Sequence, residues 1–202
     1  LEAFEAWSLT VNNANRPPLV TSVNLSNTDS LNRTNGSLQA FFSFNDSESD
    51  AITANETAWY INNTKIEAYA NRTSIDHANT TRLENWTFSV RVFDGSGWSD
   101  FTNSSAVKIS NSAPSITTTQ FSISVLETQL ANITPDYSDM DNDAPALTSD
   151  KSNFFMSGSS LLWPTNLTSS GIYSINVTVN DTIDTDSATV NVTVQDVRDL
   201  DG

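Results

Sequence analysis

Cysteine is absent from this 202-residue chain, so no disulfide can brace it and its stability rests on packed cores or on assembly. Basic residues are scarce: nine Lys and Arg against 24 Asp and Glu leave a formal net charge of −15, which excludes nucleic acid as a partner. The acidic fraction is ordinary, so the imbalance comes from missing lysine and arginine rather than from a halophilic surplus of acid. There is one histidine, His77. Without a second histidine or any cysteine it can build no zinc site, and it reads as a loop residue. No run of 18 apolar residues is present, hence no membrane-spanning helix is expected. Nor does a charged stretch followed by an apolar one open the chain. The expectation is a processed or cut beginning, with any membrane anchor outside these residues. Six glycines and six prolines are too few for a low-complexity stalk.

What the chain has in excess is asparagine followed two residues later by serine or threonine. Fifteen such triplets start at Asn24, Asn32, Asn35, Asn45, Asn55, Asn62, Asn71, Asn79, Asn85, Asn103, Asn132, Asn166, Asn176, Asn180 and Asn191. None has proline in the middle, so all are formal acceptors for N-linked glycans. Random placement of the 23 Asn, 29 Ser and 25 Thr would give roughly six. Either a polar strand face rich in Asn and Thr makes the triplets incidentally, or the chain is a surface protein coated in sugar. The excess points to the second. A coat that dense leaves little bare surface for catalysis.

The chain also repeats itself. Three times an alternating apolar strand runs into a short polar linker: Trp7-Ser-Leu-Thr-Val11 into 12–18, Ala106-Val-Lys-Ile109 into 110–114, and Val190-Asn-Val-Thr-Val194 into 195–199. Proline cannot donate to a strand ladder, so the first two linkers mark where one sheet ends and the next begins. The spacing defines an N-terminal strand and linker over 1–15, a first unit over 16–111 and a second over 112–202. Trp86-Thr-Phe88-Ser-Val90-Arg-Val92-Phe-Asp94 aligns with Tyr173-Ser-Ile175-Asn-Val177-Thr-Val179-Asn-Asp181 at one constant offset. Each has four apolar residues at period two and an Asp at the turn that follows. Each reads as the penultimate strand of an antiparallel sandwich, paired with the closing strand of its unit. Further strands are expected at 19–25, 37–45, 57–62 and 65–70, and at 115–119, 130–135, 147–149, 154–156 and 171–179. No segment holds a 3.6-residue period with caps. The fold class is therefore all-β: two tandem antiparallel β-sandwiches behind an N-terminal strand.

Acceptor placement agrees with strands, because residues i and i+2 share one face while i+1 points to the other. The triplets at Asn24, Asn85, Asn132, Asn176 and Asn191 have Leu25, Trp86, Ile133, Val177 and Val192 in the middle. One triplet can thus bury a core residue and present an acceptor to solvent. Glycans there would also block edge-to-edge pairing of sheets that few lysines protect.

The linkers at 12–18 and 111–114, the Asp94-Gly95 turn and the strand at 173–179 resemble the tandem immunoglobulin-like and cadherin-like repeats of large archaeal surface proteins. The resemblance covers nearly the whole chain. It implies immunoglobulin-like sandwiches and an extracellular structural or adhesive role, and it implies no activity.

Candidate chemistry is sparse. Asp139, Asp141, Asn142 and Asp143 place oxygen ligands at close spacing in one loop, a pattern that suits calcium, a hard cation taking six to eight oxygens. The alternative is a solvated acidic turn. A similar cluster, Asn45-Asp46-Ser-Glu48-Ser-Asp50, occupies the corresponding place in the first unit. Cadherin-like repeats bind calcium at a linker, to which Asp196-Val-Arg198-Asp199 is the nearest match, but Arg198 puts a cation where an amide is expected. Trp59, Trp86, Trp98 and Trp163 could form a carbohydrate platform, although Trp86 lies in phase with the core. Lys108 lies out of phase with Val107 and Ile109, which argues against a buried cross-link. No catalytic residues are assigned and the chain is read as no enzyme. Trp7, Leu9 and Val11 form an alternating apolar face that one strand cannot bury alone, with Ser8 and Thr10 on the other side. The expectation is a glycosylated extracellular subunit whose partner is itself, this strand being donated from one copy to the next in a filament. The alternative is a repeat segment of a large cell-surface adhesin or S-layer protein. Surface or glycan contacts complete the expected partners.

Overall fold

Alternating apolar residues set the strands, and the computed structural model describes residues 14–118 and 122–200. The residues expected to form the donated strand, Trp7, Leu9 and Val11, lie outside that description. The chain divides into two units. One comprises Leu1–Asn32, Ser37–Asn79 and Glu84–Lys108; the other comprises Ile109–Gly202 with two short segments, Arg33–Gly36 and Thr80–Leu83.

In the first unit the strands are β1 (Leu19–Asn27), β2 (Leu38–Asn45), β3 (Ala54–Ile61), β4 (Thr64–Lys65), β5 (Ser74–Ile75), β6 (Asn85–Phe93), β7 (Thr102–Asn103) and β8 (Val107–Lys108). They form two sheets, one ordered β1-β2-β5 and the other β4-β3-β6-β7, with β8 also pairing β6. Every pairing is antiparallel. The inward residues of β6, Trp86, Phe88, Val90 and Val92, are fully buried. Trp59 of β3 meets Trp86 and Phe88 edge-on, with ring centroids 6.0 and 5.1 Å apart. Phe42 of β2 stacks over Phe88 at 6.4 Å. The indole N–H of Trp59 donates to the carbonyl of Arg72 (3.0 Å) and that of Trp86 to Glu84 (2.9 Å). Both rings are therefore buried without an orphaned donor, which lets each contribute its full apolar burial, about 2–3 kcal/mol for a side chain of this size.

The second unit contains β9 (Ser115–Ile116), β10 (Ser122–Leu126), β11 (Leu130–Ile133), β12 (Tyr137–Ser138), β13 (Ala146–Ser149), β14 (Phe155–Ser157), β15 (Ser160–Pro164), β16 (Gly171–Asn180) and β17 (Thr185–Gln195). The main sheets run β10-β17-β16-β13 and β11-β15-β14, with β9 and β12 forming a small pair. The β16–β17 hairpin is in register from Gly171 opposite Val194 to Asn180 opposite Thr185. Its inward residues Ile175, Val177, Val179, Val190, Val192 and Val194 pack with Ala131, Ile133, Leu147, Leu161 and Trp163. Each unit is thus an immunoglobulin-like β-sandwich with its own core.

Three expectations need correcting. The strand expected over 65–70 stops at Lys65, and Glu67–Tyr69 form a 3₁₀ turn instead. The second sandwich is not purely antiparallel, since β10 runs parallel to β17. Trp59 and Trp163 are core residues, 0% and 8% exposed, so neither can serve a carbohydrate platform. Trp98 is half-buried. It stacks on Phe93 at 4.9 Å and carries the Arg91 guanidinium 4.6 Å above its ring, while Arg91 also pairs with Glu56.

Candidate glycan-acceptor faces and acidic loops

Strand alternation decides where the acceptor asparagines go. Fourteen of the fifteen are exposed, and only Asn32 is half-buried. Asn24, Asn45, Asn55, Asn85, Asn103, Asn132, Asn176, Asn180 and Asn191 lie on strands. The middle residues Leu25, Trp86, Ile133, Val177 and Val192 are all buried, so those triplets straddle the sheet. The remaining acceptors occupy turns and loops. Asn32, Asn62 and Asn71 adopt positive φ (58°, 49° and 58°), a conformation asparagine tolerates better than most residues. Several acceptors are organised by their own triplet. Asn132 Oδ1 accepts the Thr134 hydroxyl at 3.0 Å, Asn166 Oδ1 accepts the N–H (2.9 Å) and hydroxyl (2.7 Å) of Thr168, and Asn180 Oδ1 accepts the Thr182 N–H at 2.6 Å. These bonds use the amide oxygen and make no demand on Nδ2, the atom that would carry a sugar. Asn62 and Asn85 form a pair, the Asn85 Nδ2 donating to Asn62 Oδ1 at 3.4 Å.

Beside this dispersed set are two acidic loops with one design. In the first, Asp46 Oδ1 accepts the N–H groups of Glu48 (2.9 Å) and Asp50 (3.1 Å). In the second, Asp139 Oδ1 accepts the N–H of Asp141 at 2.7 Å. The fourth residue of each loop has positive φ, Ser49 at 64° and Asn142 at 57°. A linker asparagine then donates to the aspartate that directly follows β6 or β16. Asn15 reaches Asp94 at 3.0 Å, and Asn111 reaches Asp181 at 2.8 Å. Both aspartates also receive turn N–H groups, from Ser96 and Gly97 in one case and from Ile183 and Asp184 in the other. Gly95 permits the first turn with φ 98°.

Protonation follows from these contacts. The N–H groups of Gly97 and Ser96 hold Asp94 below the ordinary carboxylate range. Burial pushes Asp181 upward, but the Asn111 amide and the N–H groups of Asp184 and Ile183 outweigh it, and the net shift is downward. Asp139 moves the other way. Burial raises it, and repulsion from Asp141 and Asp143 adds to the effect.

The residues expected from sequence to bind calcium are neighbours in one loop by their consecutive numbering. Its surroundings are more occupied than spacing alone suggested. The Ser112 N–H donates to Asp141 Oδ2 at 2.7 Å. The Arg82 guanidinium takes Asp143 in a two-point contact of 2.8 and 3.1 Å and donates to Asn111 Oδ1 at 3.0 Å. Two buried oxygens, Asp139 Oδ2 and Asp141 Oδ1, have no hydrogen-bond partner. They could turn to a cation, but among the described residues no group of three or more His, Cys, Asp or Glu is placed to hold one. Arg82 is the residue that sequence reasoning missed, since nothing in its local pattern ties it to a loop sixty residues away. At the end of β17, Arg198 pairs with Asp196 through two bonds of 3.0 and 2.9 Å, so the cation of that linker is satisfied within the linker itself.

The second unit also has a cleft of about 460 Å³ with a mixed lining: Ile116, Ile123, Ile133, Pro135, Val177, Ala188 and Val190 on the apolar side and Thr118, Asn132, Thr134 and Asp136 on the polar side. It lies beside the edge strands β10 and β11.

No protein-family model matches the chain, and no curated protein matches it. Solved structures align with it over most of its length. They include a titin fragment, A168169 (TM-score 0.40, 14% identity, 90% of this chain and 100% of that one). They also include the N-terminal Ig1-2 module of the Drosophila receptor protein tyrosine phosphatase DLAR (0.34, 12%, 89% and 100%) and immunoglobulin domains 1-5 of Sidekick-1 (0.37, 11%, 91% and 40%). At such scores these likenesses carry no functional weight, and the architecture stands on the strand pairing above. Among the described residues no helix is long and apolar enough to cross a membrane.

Proposed function

We propose that this chain is a heavily N-glycosylated extracellular subunit that assembles head-to-tail into a cell-surface filament, with a structural rather than a catalytic role. What supports the glycoprotein part is the exposure of fourteen of its fifteen acceptor asparagines, since a transferase must reach each one. Assembly would use the segment bearing Trp7, Leu9 and Val11. β-Strand addition supplies main-chain hydrogen bonds and alternate side-chain pockets, and the edge strands β10 and β11 of the second unit leave ladder groups to which such a strand could add. A contact between the start of one copy and the sandwich of the next propagates when it does not close into a ring. The second reading, a repeat segment of an adhesin or S-layer protein, draws on the twin acidic loops, because shared hardware in both units suits an array. In either reading a calcium ion at Asp139, Asp141, Asn142 and Asp143 would have to displace the Arg82 guanidinium from Asp143 and draw together oxygens that the loop now holds apart.

The intact mass of the native protein tests the sugar coat directly. Occupancy of most acceptors gives a mass far above the 22.0 kDa of the polypeptide. A native mass near that of the bare chain would end the proposal.

A further inference from the structure

Phe41 is an oddity of the outer sheet face of the first unit. On β2 the residues sharing its face, Gln39, Ser43 and Asn45, are polar, yet Phe41 stands 58% exposed among them. The β1–β2 register places Asn24 directly opposite Phe41. Such cross-strand pairs bring their Cβ atoms to within about 5 Å on one face of the sheet. Asn24 is an acceptor, and Leu25 beside it is buried, so the Asn24 amide shares the solvent face with the ring. Four residues along β2, the acceptor Asn45 is opposite Leu19, itself 64% exposed. A third acceptor, Asn132, is two residues from Leu130 on the outer face of β11, and Leu130 is 51% exposed. Scattered exposed apolar residues need no explanation. Apolar residues that sit repeatedly beside strand acceptors do.

We propose that Phe41 is the seat of the first sugar of a glycan on Asn24, the pyranose laying its C–H face against the ring. The inference rests on the N-glycosylation reading above and gives it a specific geometry. A pyranose joined to Nδ2 carries hydroxyls around its rim and bare C–H groups on one face. An aromatic face is electron-rich and attracts such C–H groups, and both partners lose exposed apolar surface on contact. A ring directly across the ladder is held by β2 at a fixed distance from the attachment point, so little freedom is lost on stacking. The arrangement also has a use for the fold. β1 is the edge strand of its sheet, and a sugar fixed against Phe41 covers the outer face of the β1–β2 pair and so shields that face from another chain. Leu19 does the same for Asn45 with a smaller, non-aromatic surface.

The test uses glycosylated native protein with N24Q, F41T and the double variant. Glycopeptide mass spectrometry reports whether Asn24 carries sugar. Melting temperature reports coupling, and proton NMR of the sugar reports ring-current shifts. Stacking predicts an occupied Asn24 whose first-sugar protons move upfield in the native protein and return to ordinary positions in F41T. It also predicts a melting loss of roughly 3–6 °C for F41T that largely disappears in the N24Q background. F41W should keep the upfield shift. An occupied Asn24 with unshifted sugar protons and additive melting changes overturns the stacking and leaves the glycoprotein reading intact. A bare Asn24 overturns the stacking too, and the other acceptors then decide the wider reading by themselves. If F41T instead alters only self-association, the ring belongs to a contact with a second copy and the proposal fails.

Discussion

Replacing Asn111 by alanine should weaken the second unit markedly. Its Nδ2 donates to Asp181 at 2.8 Å and to Asp184 at 3.0 Å, and its Oδ1 accepts from Arg82 at 3.0 Å. Asp181 is 4% exposed, so water cannot fully replace the lost donor. A hydrogen bond to a buried charged group is worth about 1.5–3 kcal/mol, while the bond to exposed Asp184 adds little. The expected loss is about 2 kcal/mol, or roughly 8–16 °C in the melting temperature of a domain this size. The pH dependence carries the sharper information. Asp181 is held below its ordinary value, in part by Asn111, so the stability this interaction provides is fully present above the unfolded value of about 4. It is lost as pH falls through the lower folded value. Calorimetry across pH 7 to 2 should therefore show a gap between native and N111A protein that is constant near neutrality and closes in acid. A gap that persists unchanged at pH 2, or no gap at pH 7, would refute the role given to this side chain. N15A in the first unit, which removes one bond to Asp94 (3.0 Å), should show the same trend on a smaller scale.

Deleting residues 1–12 should leave folded monomers that no longer polymerise, with a synthetic peptide of those residues capping the growing end; sizing and electron microscopy read both, and an unaltered filament from the truncated protein refutes strand donation. Calcium at Asp139, Asp141, Asn142 and Asp143 would stabilise the second unit by about 2.7 kcal/mol at a hundredfold excess over its dissociation constant. Chelator should then lower that unit's melting temperature and spare the first, and a superimposable curve would leave Arg82 as the countercharge of the loop.

How much of this was legible in the sequence depends on how local the cause is. β6 and β16 were readable because Trp86, Phe88, Val90 and Val92, and likewise Ile175, Val177 and Val179, sit at strict period two, and period two survives folding unchanged. Asp94 and Asp181 were readable for the same reason, since an Asp that directly follows a strand takes the N–H groups of its own turn. The segment 65–70 misled because Ile66 and Tyr69 mimic an apolar run, whereas Lys65 and Glu67 pair at 2.9 Å and Tyr69 packs on Trp86 at 5.9 Å, which favours a tight turn. β10 went unseen although Ser122, Ile123, Ser124 and Val125 alternate at period two, because the run is only five residues long and its parallel pairing to β17 is a long-range choice. Of the tryptophans, Trp59 and Trp163 could be placed only by tertiary packing. Arg82 belongs with them: a guanidinium finds its carboxylate through the fold, not through spacing.

The two acidic loops show what repetition does and does not fix. Loop backbone and linker contact recur together: Asp46 and Asp139 each cap their own turn, Ser49 and Asn142 share positive φ, and Asn15 and Asn111 each reach the aspartate that directly follows β6 or β16. These contacts are local to a repeat, so copying a repeat copies them. The countercharge is not local and differs. Asp143 holds Arg82 at 2.8 Å between side chains about a quarter exposed, whereas Glu48, 12% exposed, meets Arg16 only at 3.9 Å with the arginine side chain 73% exposed. A single long contact to so exposed an arginine is worth at most about 1 kcal/mol and fades with salt, while a partly buried two-point contact keeps more of its strength. Salt titration should separate them. With 0.5 M NaCl the R16Q change should become silent, whereas R82Q should still cost stability in the second unit; equal loss at both ionic strengths for both variants would mean that burial does not distinguish the two loops.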